Sequence, residues 1–308
     1  MRTSLLFPLQ PRSGAEIQPY ADVVKRRDAQ RLWMGTSLYA ETQHSLAFLA
    51  GAGYRVPVGT SVQLTPLRHP FEAAVEARSL ALLTGRSVVA GFGASAPSFV
   101  SYLRGAPYER PASAVRDYIA EVRALLDGRD GALPPVDHPR VELGAGVLRP
   151  GMARAAAGVA DVAVTWMTPP HYVRETIAPA LAEGAGASPP PRVATVVHAA
   201  LERPGRDPAD LAYNAAVGHL SQPHYADMLN RSGLEVSTGD PRSGARQLVD
   251  AGVFLYGTAR RVAEGLRAYA DAGVDEAVLN TGGVGLTEGA GAGAEDAAEI
   301  LAELRKGA

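Results

Sequence analysis

Short apolar or β-branched runs alternate with longer helical stretches along this chain, and that alternation limits its fold more than anything else in the sequence. The strand-like runs are residues 3–9, 31–34, 55–62, 87–92, 140–143, 161–166, 192–201 and 276–280. Between them lie helical stretches near 14–30, 42–50, 70–83, 111–126, 150–159, 169–183, 208–219 and 258–272. Strands separated by helices build βαβ units and a parallel sheet. Runs that are apolar throughout suit strands buried on both faces. Several helices open on a proline (Pro70, Pro111, Pro150, Pro169), where the missing N–H costs nothing. Others stop at a glycine (Gly85, Gly128, Gly273). A doubly wound open sheet uses the same units. Eight of them favour closure, so the expected fold is α/β, a (β/α)8 TIM barrel, with residues 1–308 forming a single domain.

Three stretches break the rhythm: residues 94–110, the Gly/Ala/Pro linker 184–191, and residues 222–250. Residues 94–110 follow the fourth strand and are rich in Ser, Pro and Gly, and residues 222–250 are longer than a plain barrel requires. Both are expected as insertions at the C-terminal face, where barrel enzymes place their substrate contacts. The glycine-rich tail 283–294 is expected to be a mobile segment.

Composition narrows the function classes. Of 308 residues, 46% are hydrophobic and 20% charged, with a net charge of −2, so no basic stripe is available for nucleic acid. No cysteine is present, which removes disulfides, thiolate nucleophiles and cysteine metal sites. No apolar run reaches membrane-spanning length, and the apolar burst after Met1 is too short for a secretory leader. The expectation is a cytoplasmic protein with no nucleic acid, membrane or metal partner.

The chemistry-bearing motifs are loops. Gly91 and Gly93 flank Phe92 at the end of a buried strand, a pattern that suits either a phosphate cradle or a tight turn beside a pocket. Gly146, Val147, Leu148 and Arg149 precede a helix at Pro150, and small residues before a helix N-terminus admit an anion. His69, just before Pro70, reads as a loop brace. His44, at the start of the second helix, is the histidine placed to reach the barrel mouth. Trp166 reads either as core or as a wall against a flat ring. There is no nucleophile elbow, Walker loop or zinc spacing, and a barrel without strong nucleophiles or ligands points to an organic cofactor.

Several of these segments, taken in order, resemble the luciferase-like monooxygenase superfamily. They are Gly59-Thr60-Ser61-Val62, Arg68-His69-Pro70, Leu80 through Arg86, Gly91-Phe92-Gly93, Gly146 through Met152, Ala156 through Asp161, and Tyr269 through Asp275. The resemblance implies a barrel holding a flavin or deazaflavin over its strand ends. It also implies a bulge with a non-prolyl cis peptide near Ser61-Val62. The implied cofactor contacts are Gln10, Gly59, Thr60, Ser61, Val62, Gly91, Gly93, Gly146, Val147, Leu148, Arg149 and Trp166, with the phosphate at Gly146 to Arg149. Tyr39 and His44 are the side chains expected to be catalytic. Arg31 through Gly35 and the helix from Pro111 look more like the branch that uses coenzyme F420, a deazaflavin that moves hydride, than the FMN monooxygenases. A departure is Thr36-Ser37-Leu38-Tyr39, which stands where some deazaflavin dehydrogenases carry Asp-His, so alcohol or sugar-phosphate oxidation is not inferred. The expected activity is F420-dependent hydride transfer to or from an organic substrate, a small-molecule or peptide natural product, in natural-product biosynthesis. The alternatives are an FMNH2-dependent, oxygen-using monooxygenase and a non-catalytic ligand-binding barrel. A homodimer is implied by the same resemblance.

Overall fold

A computed structural model of the chain describes residues 1–129 and 131–306. Its strands are β1 (Arg2–Phe7), β2 (Leu32–Met34), β3 (Val58–Thr60), β4 (Gln63–Leu64), β5 (Val88–Gly93), β6 (Val141–Gly146), β7 (Val162–Trp166), β8 (Arg192–Leu201), β9 (Phe254–Gly257) and β10 (Glu276–Asn280). Every pairing is parallel. Running β1-β2-β3-β5-β6-β7-β8 and then β10, the sheet closes because β10 pairs with both β8 and β1. The expected eight-stranded barrel is therefore the fold, ringed by helices such as Pro70–Thr84 and Pro111–Leu126. No helix among the described residues is long and apolar enough to cross a membrane.

The barrel interior has three levels. In the middle, Leu6, Trp33, Val89, Val162, Val164, Ala194, Val196 and Val278 form a closed apolar plug, a layered interior typical of this architecture. At the N-terminal end the buried carboxylate of Glu276 accepts hydrogen bonds from Ser4 Oγ (2.6 Å) and Trp33 Nε1 (2.8 Å), and Arg192 lies 3.5 Å away. Arg192 also reaches Glu142 at 3.1 Å, so the buried charges are paired. At the C-terminal end Val62 and Trp166 pack onto the plug. That end is where a ligand has room.

The third barrel strand differs from the continuous run 55–62. It is broken into β3 and β4, with a cis peptide at Ser61–Val62 between them, where the resemblance places one. Met34 O accepts from Ser61 N at 2.9 Å, Val62 O accepts from Thr36 Oγ1 at 2.8 Å, and Thr60 Oγ1 accepts from Gly91 N at 2.9 Å.

Two further expectations are corrected. A ninth run, Phe254–Gly257, is a strand that pairs with His198–Leu201, beyond the part of β8 that pairs with β7. The tail read as mobile is instead the helix Gly282–Glu288 and the start of the helix Ala290–Lys306. Its glycines serve close packing. A Cβ on Gly283 would stand 2.5 Å from the Leu211 carbonyl, and one on Gly293 would overlap the Tyr20 hydroxyl.

The stretch 94–110 carries a short helix, Pro97–Arg104. The stretch 222–250 carries two, Pro223–Arg231 and Pro241–Asp250, which follow the helix Pro208–Leu220 after β8.

Candidate active site

A cavity of about 320 Å³ opens at the C-terminal ends of the strands, near the lower end of the range for small-molecule sites. Its floor comes from the end of β1 and the loop beyond it (Leu6, Phe7, Pro8, Leu9, Gln10), and Asn280, Gly282 and Leu286 complete one side. Gly35, Thr36, Ser61, Val62 and Leu64 form one wall, and Trp166, Ala215, His219 and Tyr225 form another. In a ring of eight strands the sixth, β7, stands across from the second, β2. The Trp166 wall therefore faces the Gly35–Thr36 wall across the mouth.

The first wall is braced from behind. Gln10 spends its amide on the next loop, donating to Thr36 O (3.3 Å) and accepting from Leu38 N (2.8 Å). Ser61 is buried, and its hydroxyl has no hydrogen-bond partner among the described residues. A buried hydroxyl left unpaired beside a cavity is a donor and acceptor available to a ligand.

The second wall is aromatic. Trp166 stacks on His219 with ring centres 4.9 Å apart and planes inclined by 29°. Tyr225 meets His219 edge-on at 4.8 Å. Behind them His198 lies edge-on to Trp166 at 5.8 Å and stacks on Phe254 at 6.5 Å. Trp166 Nε1 and both ring nitrogens of His198 are buried without partners among the described residues. Burial, and secondarily the neighbouring His224, lowers the His219 pKa to about 4, and burial with a smaller contribution from His219 lowers that of His198 to about 3. Burial also raises the Tyr225 phenol above its ordinary range. At neutral pH this wall is uncharged.

The residues singled out in the sequence divide into three groups. Gln10, Ser61, Val62 and Trp166 line the cavity. Gly59, Thr60, Gly91 and Gly93 do not; they are buried parts of the bulge and its neighbours. A Cβ on Gly59 would stand 2.7 Å from the Trp33 ring, one on Gly93 would stand 2.7 Å from a Val62 methyl, and one on Gly91 would overlap the Thr60 carbonyl oxygen. At Gly91 the missing side chain lets two backbones meet, and at Gly59 and Gly93 it admits the Trp33 ring and a Val62 methyl. Gly146, Val147, Leu148 and Arg149 lie beside the bulge and outside the cavity, with Gly146 positioned so that a Cβ would be 3.5 Å from the Val62 methyls. Arg149 is exposed and lies 3.4 Å from Asp227 on the inserted helix.

Neither side chain expected to be catalytic lines the cavity. Tyr39 is 62% exposed, with the Arg12 guanidinium over its ring at 5.4 Å. His44 lies on the outer surface, its Nδ1 3.0 Å from Glu41, the residue that caps its own helix. Starting the second helix set His44 near the mouth in sequence, but the helix turns that position outward. His69 does brace its loop, accepting from Phe71 N at 3.2 Å. Sequence reasoning missed His198, His219 and Asn280, while Tyr225 lies in the stretch 222–250 expected to carry substrate contacts. The available signal was Ala215 and His219 four apart on one helix face, followed closely by Tyr225 on the next helix. No cluster of three or more His, Asp or Glu able to hold a metal occurs among the described residues.

The family model for luciferase-like monooxygenases matches residues 12–276, most of the chain. No curated protein matches the sequence. Among solved structures, an F420-dependent secondary alcohol dehydrogenase holding an F420–acetone adduct is similar at 17% identity, with 99% of each chain covered and a TM-score of 0.72. A coenzyme F420-dependent tetrahydromethanopterin reductase from Methanopyrus kandleri is similar at 15% identity, with 98% of each chain covered and a TM-score of 0.72. The oxygenating constituent of the 3,6-diketocamphane monooxygenase of Pseudomonas putida, solved with FMN, is similar at 15% identity, covering 99% of this chain and 97% of that one, with a TM-score of 0.65.

Proposed function

Because this chain belongs to the luciferase-like monooxygenase family, we propose that it is an oxidoreductase working with coenzyme F420, the deazaflavin ring lying over the Ser61–Val62 bulge. The observation that carries this reading is the cavity at the strand ends, bounded by that bulge and by a facing aromatic wall, with Ser61 Oγ and Trp166 Nε1 buried and unpaired at its edge. These residues fit a flat heterocycle with polar edges: an apolar floor, a hydroxyl and an indole N–H for its rim, and no charge to be desolvated. The choice of deazaflavin over flavin is supported by the two F420-dependent enzymes among the similar structures.

When bound, the deazaflavin supplies hydride exchange with an organic substrate. The chain's own residues bind, orient and enclose. Val62 gives the ring an apolar seat, held in place by the hydrogen bond from Thr36 to its carbonyl. Ser61 Oγ and Trp166 Nε1 would hydrogen-bond the ring edge. Arg149, with the start of the helix Pro150–Ala157, would hold the cofactor phosphate outside the cavity. Phe7, Leu9, Trp166 and Tyr225 keep water from the reacting atoms.

Absorbance titrations of the purified protein with F420 and with FMN test this. F420 should bind saturably and more tightly than FMN. Preference for FMN, with oxygen uptake on supplying FMNH2, would make the protein an oxygen-using monooxygenase. Saturable binding of neither would overturn the reading.

A further inference from the structure

We propose that the half of the cavity facing the bulge takes an uncharged, planar carbonyl compound, laid against Trp166, His219 and Tyr225, with His219 as the hydrogen-bond partner of its oxygen. The proposal rests on the reading above in assigning the bulge side and the Trp166 N–H to the cofactor ring, which leaves the indole face with the His219 and Tyr225 rings to the substrate.

Three observations carry it. First, among the described residues no Asp, Glu, Lys or Arg lines the cavity. Arg149, the cation near His224, lies outside the cavity and pairs with Asp227 at 3.4 Å. An anionic or cationic substrate would lose its water with no counter-charge to replace it. Second, the wall offers neutral donors. The contacts of His219 are ring contacts with Trp166 and Tyr225, and its nitrogens make no hydrogen bond among the described residues. A neutral imidazole donates from one nitrogen and accepts at the other, which suits a carbonyl or enol oxygen. Third, the wall is shaped for a flat molecule. Ala215 lies one turn before His219 on the same helix face, and its small side chain leaves open the space a larger residue would fill. Leu286, 56% exposed, forms an apolar rim on the adjoining side. The residues that set specificity are thus Ala215, His219 and Leu286, on helices that follow β8 and β10.

Calorimetric titration of the full-length protein at pH 7.5 tests this with two probes of equal size, 2-acetylnaphthalene and 2-naphthoate, with and without saturating F420. The ketone should bind saturably, and the carboxylate about 30-fold more weakly or not at all, a difference of about 2 kcal/mol. Ala215→Phe should abolish ketone binding while F420 affinity stays within about threefold, which also shows that the variant is folded. His219→Leu should weaken the ketone about tenfold, and His219→Gln, which keeps a donor, should restore most of the loss. Equal affinity for the two probes, an unchanged ketone affinity in Ala215→Phe, or an unchanged one in His219→Leu would overturn the proposal. Failure of both F420 and FMN to bind, with the probe pattern intact, would sink the cofactor reading and leave this one standing.

Discussion

The indole of Trp166 lies on the imidazole of His219, with ring centres 4.9 Å apart and planes within 29° of parallel. One ring comes from the end of a barrel strand, the other from a helix that follows β8. Their stack joins the barrel end to that helix, which leads into the inserted stretch 222–250. It also places two neutral nitrogen heterocycles against the cavity, backed by a third, His198, behind Trp166.

The buried imidazoles tie stability to pH. An unfolded histidine titrates near 6.5, whereas in the fold burial lowers His198 to about 3 and His219 to about 4. Between pH 6.5 and those values the unfolded chain takes up protons that the folded one refuses. Stability from these groups is therefore fully present above pH 6.5 and is lost as pH falls toward 3. The urea midpoint should drop steadily from pH 7 to pH 4.5. His198→Leu should flatten that slope and be no less stable at pH 7, because it removes two unpaired buried nitrogens. An unchanged slope in the variant would contradict this.

Two glycines should respond oppositely to the same substitution. At Gly91 a Cβ would overlap the Thr60 carbonyl beside the bulge, whereas at exposed Gly151, in the first turn of a helix, it would meet nothing. Gly91→Ala should cost about 3 kcal/mol or prevent folding. Gly151→Ala should gain about 0.5 kcal/mol through helix propensity. Chemical denaturation of the two variants checks both signs.

Arg149 and Asp227 form a half-exposed pair at 3.4 Å, a geometry worth well under about 1 kcal/mol to stability. Arg149→Ala should leave the melting temperature nearly unchanged yet weaken F420 binding about tenfold. Asp227→Asn, which frees the guanidinium, should leave F420 binding as tight as in the parent or tighter. Calorimetry with the cofactor reads both, and an unchanged affinity in Arg149→Ala would remove the phosphate assignment.

Much of the fold was legible because strand and helix periodicity is local. The barrel followed from eight buried runs, and its bulge from the ordered segments around Gly59–Val62. The glycines left two readings open, since Gly91 and Gly93 look the same whether they admit a phosphate or a neighbouring chain segment. Only the position of Thr60 and Val62 decides. The tail glycines were read as a mobile stretch because their partners, Leu211 and Tyr20, are far away in sequence. His219 was invisible for a similar reason: helical spacing gives the face of Ala215 and His219 but not the strand end on which that face docks. His44 shows the converse, since nearness to a strand end in sequence did not bring its side chain to the cavity.

The central claim, that a cofactor ring sits between the Ser61–Val62 bulge and the Trp166 wall, has a reporter built into the chain. Its two tryptophans are Trp33, sealed in the barrel plug, and Trp166, which lines the cavity. Titrating F420 into the protein while following tryptophan emission should give saturable quenching, and Trp166→Phe should remove most of its amplitude. Quenching of equal amplitude in the variant would place the ring elsewhere and contradict the account.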